Sequence, residues 1–270
     1  MPAAANTTQH SDFVPTVDIS PFLRDPSSPL VDGIVDEVRR ACVKTGFFQI
    51  TGHGVPHDIL ARLFDASKKF FALPVEEKTR LDARKQIGRR GYDVLESQSY
   101  HVDTPADLKE GFYVGHDLSP DNPAVQARRF YMGPNVWPDQ TLLGSYDFRE
   151  PVEKYFAVVN DLALKVLNLI ALTLPYGPTV FSDFSYGDVV AALRLLRYPP
   201  APAIDGNGGQ LGAGEHSDFS AITLLVQDGN PGLEVLDAET NKFVPVAATP
   251  TALIVNVGDM LSVLTRLANK

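Results

Sequence analysis

GEHSDFSAITLLVQD, residues 214–228, pairs a Gly-flanked His-x-Asp with a strand-like apolar run. It sets His216 and Asp218 two positions apart, directly ahead of an apolar run that reads as a β-strand. In extended chain, residues two apart point to one side, so an imidazole and a carboxylate face together. The glycines before them (Gly208, Gly209, Gly212 and Gly214) let the segment open to solvent, and the strand after them fixes its direction. With one more histidine from a distant strand, this pair makes a 2-His-1-carboxylate triad, which leaves open positions on Fe(II).

The His-x-Asp pattern by itself is weak, because the chain holds three copies of it. HSDF also occurs at residues 10–13, and His101-Val102-Asp103 is another instance. The first sits in a small, polar leader, residues 1–12, expected to be disordered. A metal site needs ligands held at fixed distances by outer partners, which a loose tail does not supply. The His101 copy precedes Pro105 in a segment without clear periodicity. Only the copy at 216–218 has a loop and a strand to place it.

Working outward, residues 189–198 read as a strand and 199–214 as a Pro/Gly-rich loop. Further strands are expected at 220–227, 232–236, 242–246 and 252–257, with Asp228-Gly-Asn-Pro231 as a turn and another turn opening at Gly258-Asp259. Toward the N-terminus, residues 14–19 and 47–50 read as short strands. Leu30, Ile34, Val35, Val38, Ala41 and Cys42 share a helical face that ends before Gly46. Pro56 opens a helix carrying Ile59, Leu60, Leu63, Phe64, Phe70 and Phe71. Residues 74–148 are mixed, and a long helix runs from about Pro151 to Leu174. Helices first and strands later make the fold class α+β. The expected division is a leader at 1–12, an N-terminal region at 13–148 and a β-rich domain at 149–270.

Composition narrows the functional classes. The chain of 270 residues is 44% hydrophobic and 21% charged, as in an ordinary globular protein. Its net charge of -9 argues against a nucleic-acid or anionic-membrane role, since either needs a basic face. The single cysteine, Cys42, rules out a disulfide framework; it reads as a core residue, and a reducing compartment, the cytosol, is expected. The first ten residues do not read as a signal peptide, and no apolar run is expected to span a membrane.

From about Val14 to Met260 the chain resembles the isopenicillin-N-synthase-like Fe(II)/2-oxoglutarate dioxygenases. The resemblance rests on VPTVDISPF, TGFFQITGHGVP, FFALPVEEK, LRLLRYPP, GEHSDFSAITLLVQD, GLEVLD and NVGDML, in that order. It implies a double-stranded β-helix (jelly-roll) core with a helical N-terminal region. It also implies Fe(II) as metal, 2-oxoglutarate and O2 as co-substrates, and a small-molecule substrate, with no nucleic acid and no membrane as partner. Carried over by position, His216 and Asp218 are iron ligands, and Tyr198 contacts a 2-oxoglutarate carboxylate unless it is simply a half-buried strand residue. Leu196 stands where many plant members have a polar Asn. Arg194 shares a strand face with Leu196 and Tyr198; it is either a contact to an acidic or phenolic substrate or half of a structural salt bridge. GRRGYD, SQSY, DLKEGF, LPYGP and LRLLRYPPAPA look similar to fungal oxygenases of citrinin-type polyketide pathways, which oxidise an aryl methyl group. Arg89, Arg90, Tyr92 and Phe112 in these phrases line the substrate entrance or are ordinary packing.

The family pattern also has a distal histidine and an Arg-x-Ser that grips 2-oxoglutarate through a bidentate pair. No histidine follows His216, and the only arginine after the GDML turn, Arg266, is followed by Leu267-Ala268. His53, His57, His101 and His116 all fall outside the β-rich half and are poor substitutes. The resemblance fades after Ser262, so the expectation is a jelly roll truncated at its C-terminus, lacking its last strands and inactive as it stands. The alternative is a non-catalytic jelly-roll protein that binds a small ligand or a partner.

Overall fold

The computed structural model describes residues 13–98, 105–182, 189–200, 210–249 and 251–265. The leader, with His10, Ser11 and Asp12 of the first HSDF copy, and His101, Asp103 and Arg266 lie outside the described residues. Along the chain the elements are β1 (Thr16–Asp18), α1 (Ser20–Arg24), α2 (Leu30–Lys44), β2 (Phe47–Thr51), α3 (His57–Phe71), α4 (Val75–Thr79), β3 (Gly91–Asp93) and β4 (Glu110–Gly115). There follow α5 (Pro123–Gln126), α6 (Arg149–Leu172), β5 (Ala192–Arg197), β6 (Ile222–Leu225), β7 (Glu234–Asp237), β8 (Lys242–Pro245), β9 (Leu253–Val257) and α7 (Asp259–Thr265). The fold class is α+β.

The chain forms two compact units. One is built from Met1–Gly54, Asp161–Ser185 and Ser217–Lys270, the other from Val55–Asn160 and Tyr186–His216. In the first, four strands join in the order β1-β2-β9-β6. β1 and β2 run parallel, while β9 is antiparallel to β2 and β6. Helices first and strands later is therefore too simple a reading: β1 and β2, from the first fifty-odd residues, complete the sheet of β6 and β9. Leu253, Ile254 and Val255 are buried in succession, the signature of a strand covered on both faces. Val14, Val235, Val246 and Ile254 form a core cluster with Phe13, Phe47, Leu225 and Leu233 packed on it. Cys42 belongs to the interior, and burial pushes its thiol up to about 12. α2 ends as expected, with Gly46 at φ 75 and its N–H donating to the Ala41 carbonyl. Gly258-Asp259 was expected to open a turn; Asp259 instead begins α7, and β7 pairs with β8 rather than with β6.

The second unit holds the antiparallel sheet β3-β4-β5. One of its faces packs aromatic rings: Phe112 lies 4.6 Å from Phe70 and 5.1 Å from Phe148, centroid to centroid. On the same face Glu110 is a buried carboxylate with three donors, Lys78 Nζ at 2.7 Å, Tyr92 Oη at 2.6 Å and Arg197 Nη1 at 2.6 Å. Burial raises its pKa, but these three hydrogen bonds together outweigh burial and hold the carboxyl below its usual range.

α6 passes from the second unit into the first. By length and composition it could cross a membrane, contrary to the expectation that no apolar run suffices. Between residues 155 and 172 its only charged side chains, Asp161 and Lys165, pair with each other at 2.7 Å. A buried core helix meets the same two criteria, and Val152, Tyr155, Leu162, Val166, Leu169 and Ile170 are all buried.

Candidate metal centre and its surroundings

His216 closes the second unit. Its Nδ1 lies 2.8 Å from the Gly214 carbonyl oxygen. A carbonyl can only accept, so Nδ1 carries the proton, and in the neutral ring the lone pair is on Nε2. An imidazole whose other nitrogen donates to a backbone carbonyl is the usual form of a metal-ligating histidine.

Asp218 belongs to the first unit. Its Oδ2 accepts from Thr223 Oγ1 at 2.6 Å and from Asn256 Nδ2 at 2.8 Å. Thr223 sits on β6, and Asn256 interrupts the apolar run of β9. The Asp218 carbonyl accepts from Asp259 N at 2.7 Å, and Ser217 Oγ donates to Asp259 Oδ2 at 2.7 Å. Gly258 is required here, because a Cβ at that position would run into the Ser220 carbonyl oxygen and come within 2.8 Å of the Asp218 carbonyl oxygen. The NVGDM segment thus backs the carboxylate through three consecutive elements: β9, the glycine and the start of α7.

Sequence reasoning singled out His216 and Asp218 but not Thr223, Asn256 or Asp259. A signal was present for Asn256. A polar residue inside an apolar strand needs a partner, although the sequence does not say which.

The donor types suit a hard divalent metal, one imidazole nitrogen and one carboxylate. Among the described residues no group of three or more His, Cys, Asp or Glu side chains converges to hold a metal ion. Of the other described histidines, His53 Nε2 lies 3.3 Å from the Thr251 carbonyl oxygen, the His116 ring packs edge-on against Phe156 at 5.2 Å, and His57 is the first residue of α3. Burial, and then the nearby Arg90 cation, lower the His116 pKa. In chemical type, the His216 imidazole and the Asp218 carboxylate each suit such a metal.

β5 carries the remaining candidates. Tyr198 follows its last residue and is 51% exposed. Its ring covers Gly212, where a Cβ would sit 2.8 Å from Tyr198 Cδ1. Arg194 Nη2 is bound to Asp93 Oδ2 at 2.5 Å and to Gln98 Oε1 at 2.9 Å. Its guanidinium lies 4.9 Å from the Tyr113 ring centre. The salt bridge that was one of two readings for Arg194 is therefore formed. Burial, against the pull of the Arg194 charge, pushes the Tyr113 hydroxyl up to about 12.

Register sorts the other residues. Tyr113 lies between Gly91 and Arg194, and Gly111 between Asp93 and Leu196. Directly opposed residues share a face, so Asp93, Tyr113, Arg194 and Leu196 stand on one side of the sheet. Tyr92, Phe112 and Leu195 are opposed to one another and stand on the other. Tyr92 is 1% exposed and donates to Glu110, and Phe112, at 0%, sits in the aromatic cluster. Arg90, 1% exposed, donates to the carbonyls of Gly88 at 3.1 Å and Tyr131 at 2.6 Å. These three, read in the sequence as either entrance residues or ordinary packing, form part of the packed interior. Alternation along the strand turns Tyr92 and Phe112 away from Arg194.

Two family models match the chain: the N-terminal region of a non-haem dioxygenase in morphine synthesis over residues 14–140, and the 2OG-Fe(II) oxygenase superfamily over residues 189–270. A 2-oxoglutarate-dependent dioxygenase of Monascus ruber, citB, is 48% identical over 96% of this chain and 78% of its own length. Clavatol oxidase of Penicillium crustosum, claD, is 46% identical over 98% of this chain and 80% of its own. The crystal structure of Neurospora crassa T7H in complex with alpha-KG superposes with a TM-score of 0.75 at 28% identity, over 92% of this chain and 74% of that one.

Proposed function

This chain belongs to the 2OG-Fe(II) oxygenase superfamily, whose jelly-roll fold it shares, and from that premise we propose that it oxidises a C–H bond of a small aromatic metabolite. The family is an oxidoreductase family that uses Fe(II), 2-oxoglutarate and O2, and its members act on small molecules. In this reading His216 Nε2 and the Asp218 carboxylate hold the metal, and Tyr198 touches a carboxylate of 2-oxoglutarate. Bound Fe(II), with 2-oxoglutarate and O2, supplies the oxidant for hydroxylation.

The protein's own part is orientation. The observation that carries the reading is that both donors are held from behind. The Gly214 carbonyl keeps the proton on His216 Nδ1, and Thr223 and Asn256 fix the Asp218 carboxylate through Oδ2. Arg194, engaged with Asp93 and Gln98, braces this strand on the Tyr198 side. A small-molecule substrate agrees with the clavatol after which the Penicillium crustosum relative is named.

The test is titration of the full chain with Co(II), with and without 2-oxoglutarate, beside an assay of succinate formation with Fe(II). Co(II) affinity is expected to fall about tenfold or more in His216→Ala and in Asp218→Ala. Unchanged affinity in both variants would sink the assignment of the ligands. Metal-dependent succinate that disappears with His216→Ala makes the chain itself catalytic. Binding without turnover favours the second reading, a ligand-binding protein on the same scaffold.

A further inference from the structure

Asp107 lies more than a hundred residues before the His-x-Asp pair, yet its carboxylate reaches the loop that carries His216. Asp107 Oδ1 accepts from the Gly214 amide at 2.9 Å. The carbonyl of that same glycine accepts from His216 Nδ1 at 2.8 Å. Only the two backbone torsions of Gly214 separate these contacts. We propose that Asp107 is a positioning residue for His216, acting through the Gly214 peptide; the proposal rests on the reading of His216 as a metal ligand.

The carboxylate is built for the task. It is 4% exposed, and its Oδ2 accepts from Lys109 Nζ at 2.6 Å, itself 3% exposed on the side chain. One oxygen anchors the lysine and the other the glycine amide. A carboxylate held this way accepts a charge-assisted hydrogen bond, stronger than the neutral bonds typical of a surface loop. Two more contacts fasten the loop to the same segment. Leu108 N donates to the Leu211 carbonyl at 2.8 Å, and Gln210 Nε2 donates to the Ala106 carbonyl at 2.7 Å. Residues 106–108 thus grip residues 210, 211 and 214, and the last of these grips carries on to the imidazole.

A glycine needs such a restraint more than any other residue. With no Cβ, Gly214 has the widest choice of φ and ψ, and each wrong choice turns its carbonyl away from the ring. Once the carbonyl turns, nothing in this contact keeps the proton on Nδ1 and the lone pair on Nε2. A purely structural role for Asp107 predicts a loss of stability only. A positioning role predicts in addition a change in the His216 tautomer.

The experiment uses the full chain, uniformly labelled for amide exchange and labelled at histidine nitrogen for ring spectra, with the His216 signals assigned through His216→Gln. In the unmodified protein the Gly214 amide is expected to exchange slowly and His216 to be Nδ1-protonated. Fast exchange at Gly214 overturns the proposal without any variant having to fold. Asp107→Leu/Lys109→Leu removes both buried charges together with the acceptor, and Asp107→Asn/Lys109→Gln removes the charges but keeps an acceptor. The first is expected to move His216 toward the Nε2-protonated form and to weaken Co(II) binding about 10–100-fold, the range seen when an outer partner of a ligand is lost. The second is expected to keep the tautomer. A tautomer unchanged in the Leu/Leu variant overturns the proposal. Co(II) affinity unchanged in His216→Ala removes the ligand role instead, and leaves the tautomer result standing as a separate fact.

Discussion

Asn256 Nδ2 donates to Asp218 Oδ2 at 2.8 Å, tying the one polar residue of a buried strand to the candidate metal-binding carboxylate. The bond spans 38 positions of sequence and stays within one unit. It makes Asn256 both a stability residue and an outer partner of the site.

Replacing Asn256 therefore has two expected effects. Asn256→Ala removes a hydrogen bond to a charged group, worth about 1.5–3 kcal/mol, to be measured by urea unfolding. Asn256→Asp sets a second carboxylate against Asp218 Oδ2, so it is expected to destabilise at neutral pH and to recover as the solution is acidified. Equal stability of Asn256→Asp and the unmodified chain at neutral pH contradicts the contact.

Gly212 and Tyr198 give a second prediction. A methyl group at 212 collides with the Tyr198 ring, which is exposed enough to swing away. Gly212→Ala is thus expected to cost little stability, about 1 kcal/mol, because the ring relieves the overlap. If Tyr198 touches 2-oxoglutarate, Gly212→Ala and Tyr198→Phe weaken 2-oxoglutarate binding by similar factors, read by calorimetry in the presence of Co(II). A loss in Tyr198→Phe alone means that the ring is not displaced.

Acid sensitivity is traceable to Asp82. Its carboxyl is held down to about 2, first by the Arg84 side chain, which binds both oxygens, and against the effect of burial. The folded pKa lies below the usual 3.8, so the contribution to stability is complete above about 3.8 and is lost as the pH falls toward 2. Asp82→Asn is expected to lower stability at neutral pH and to flatten the acid limb of the stability curve between those values. An unchanged acid limb shows that other carboxylates dominate it.

Much of the fold could be read before any coordinates. α2, α3 and α6 followed from apolar periodicity, and Gly46 was recognised as a stop because only glycine enters the left-handed region freely. His216 and Asp218 stood out through their loop-and-strand context. Pairing was another matter. Nothing local in Phe47–Thr51 says that it will lie beside Leu253–Val257, since both are apolar runs able to pair with any other strand. Which face each residue takes was not legible for a related reason. GRRGYD and DLKEGF look like site motifs as strings, but register sends Tyr92 and Phe112 to the packed face and leaves Asp93 and Tyr113 beside Arg194.

The family, the α+β composition and the candidate donors at 216 and 218 are legible in the residues alone, because these depend on residue types at short spacing. What only the tertiary structure decided is who stands behind those donors: Thr223 and Asn256 for the aspartate, Gly214 and Asp107 for the histidine. Those partners are 5, 38, 2 and 109 residues from the donor they serve (216 − 107 = 109). Contacts across such separations form only when the chain gains more from burying its apolar strands than it loses in ordering the loops between them, and that balance belongs to the whole fold.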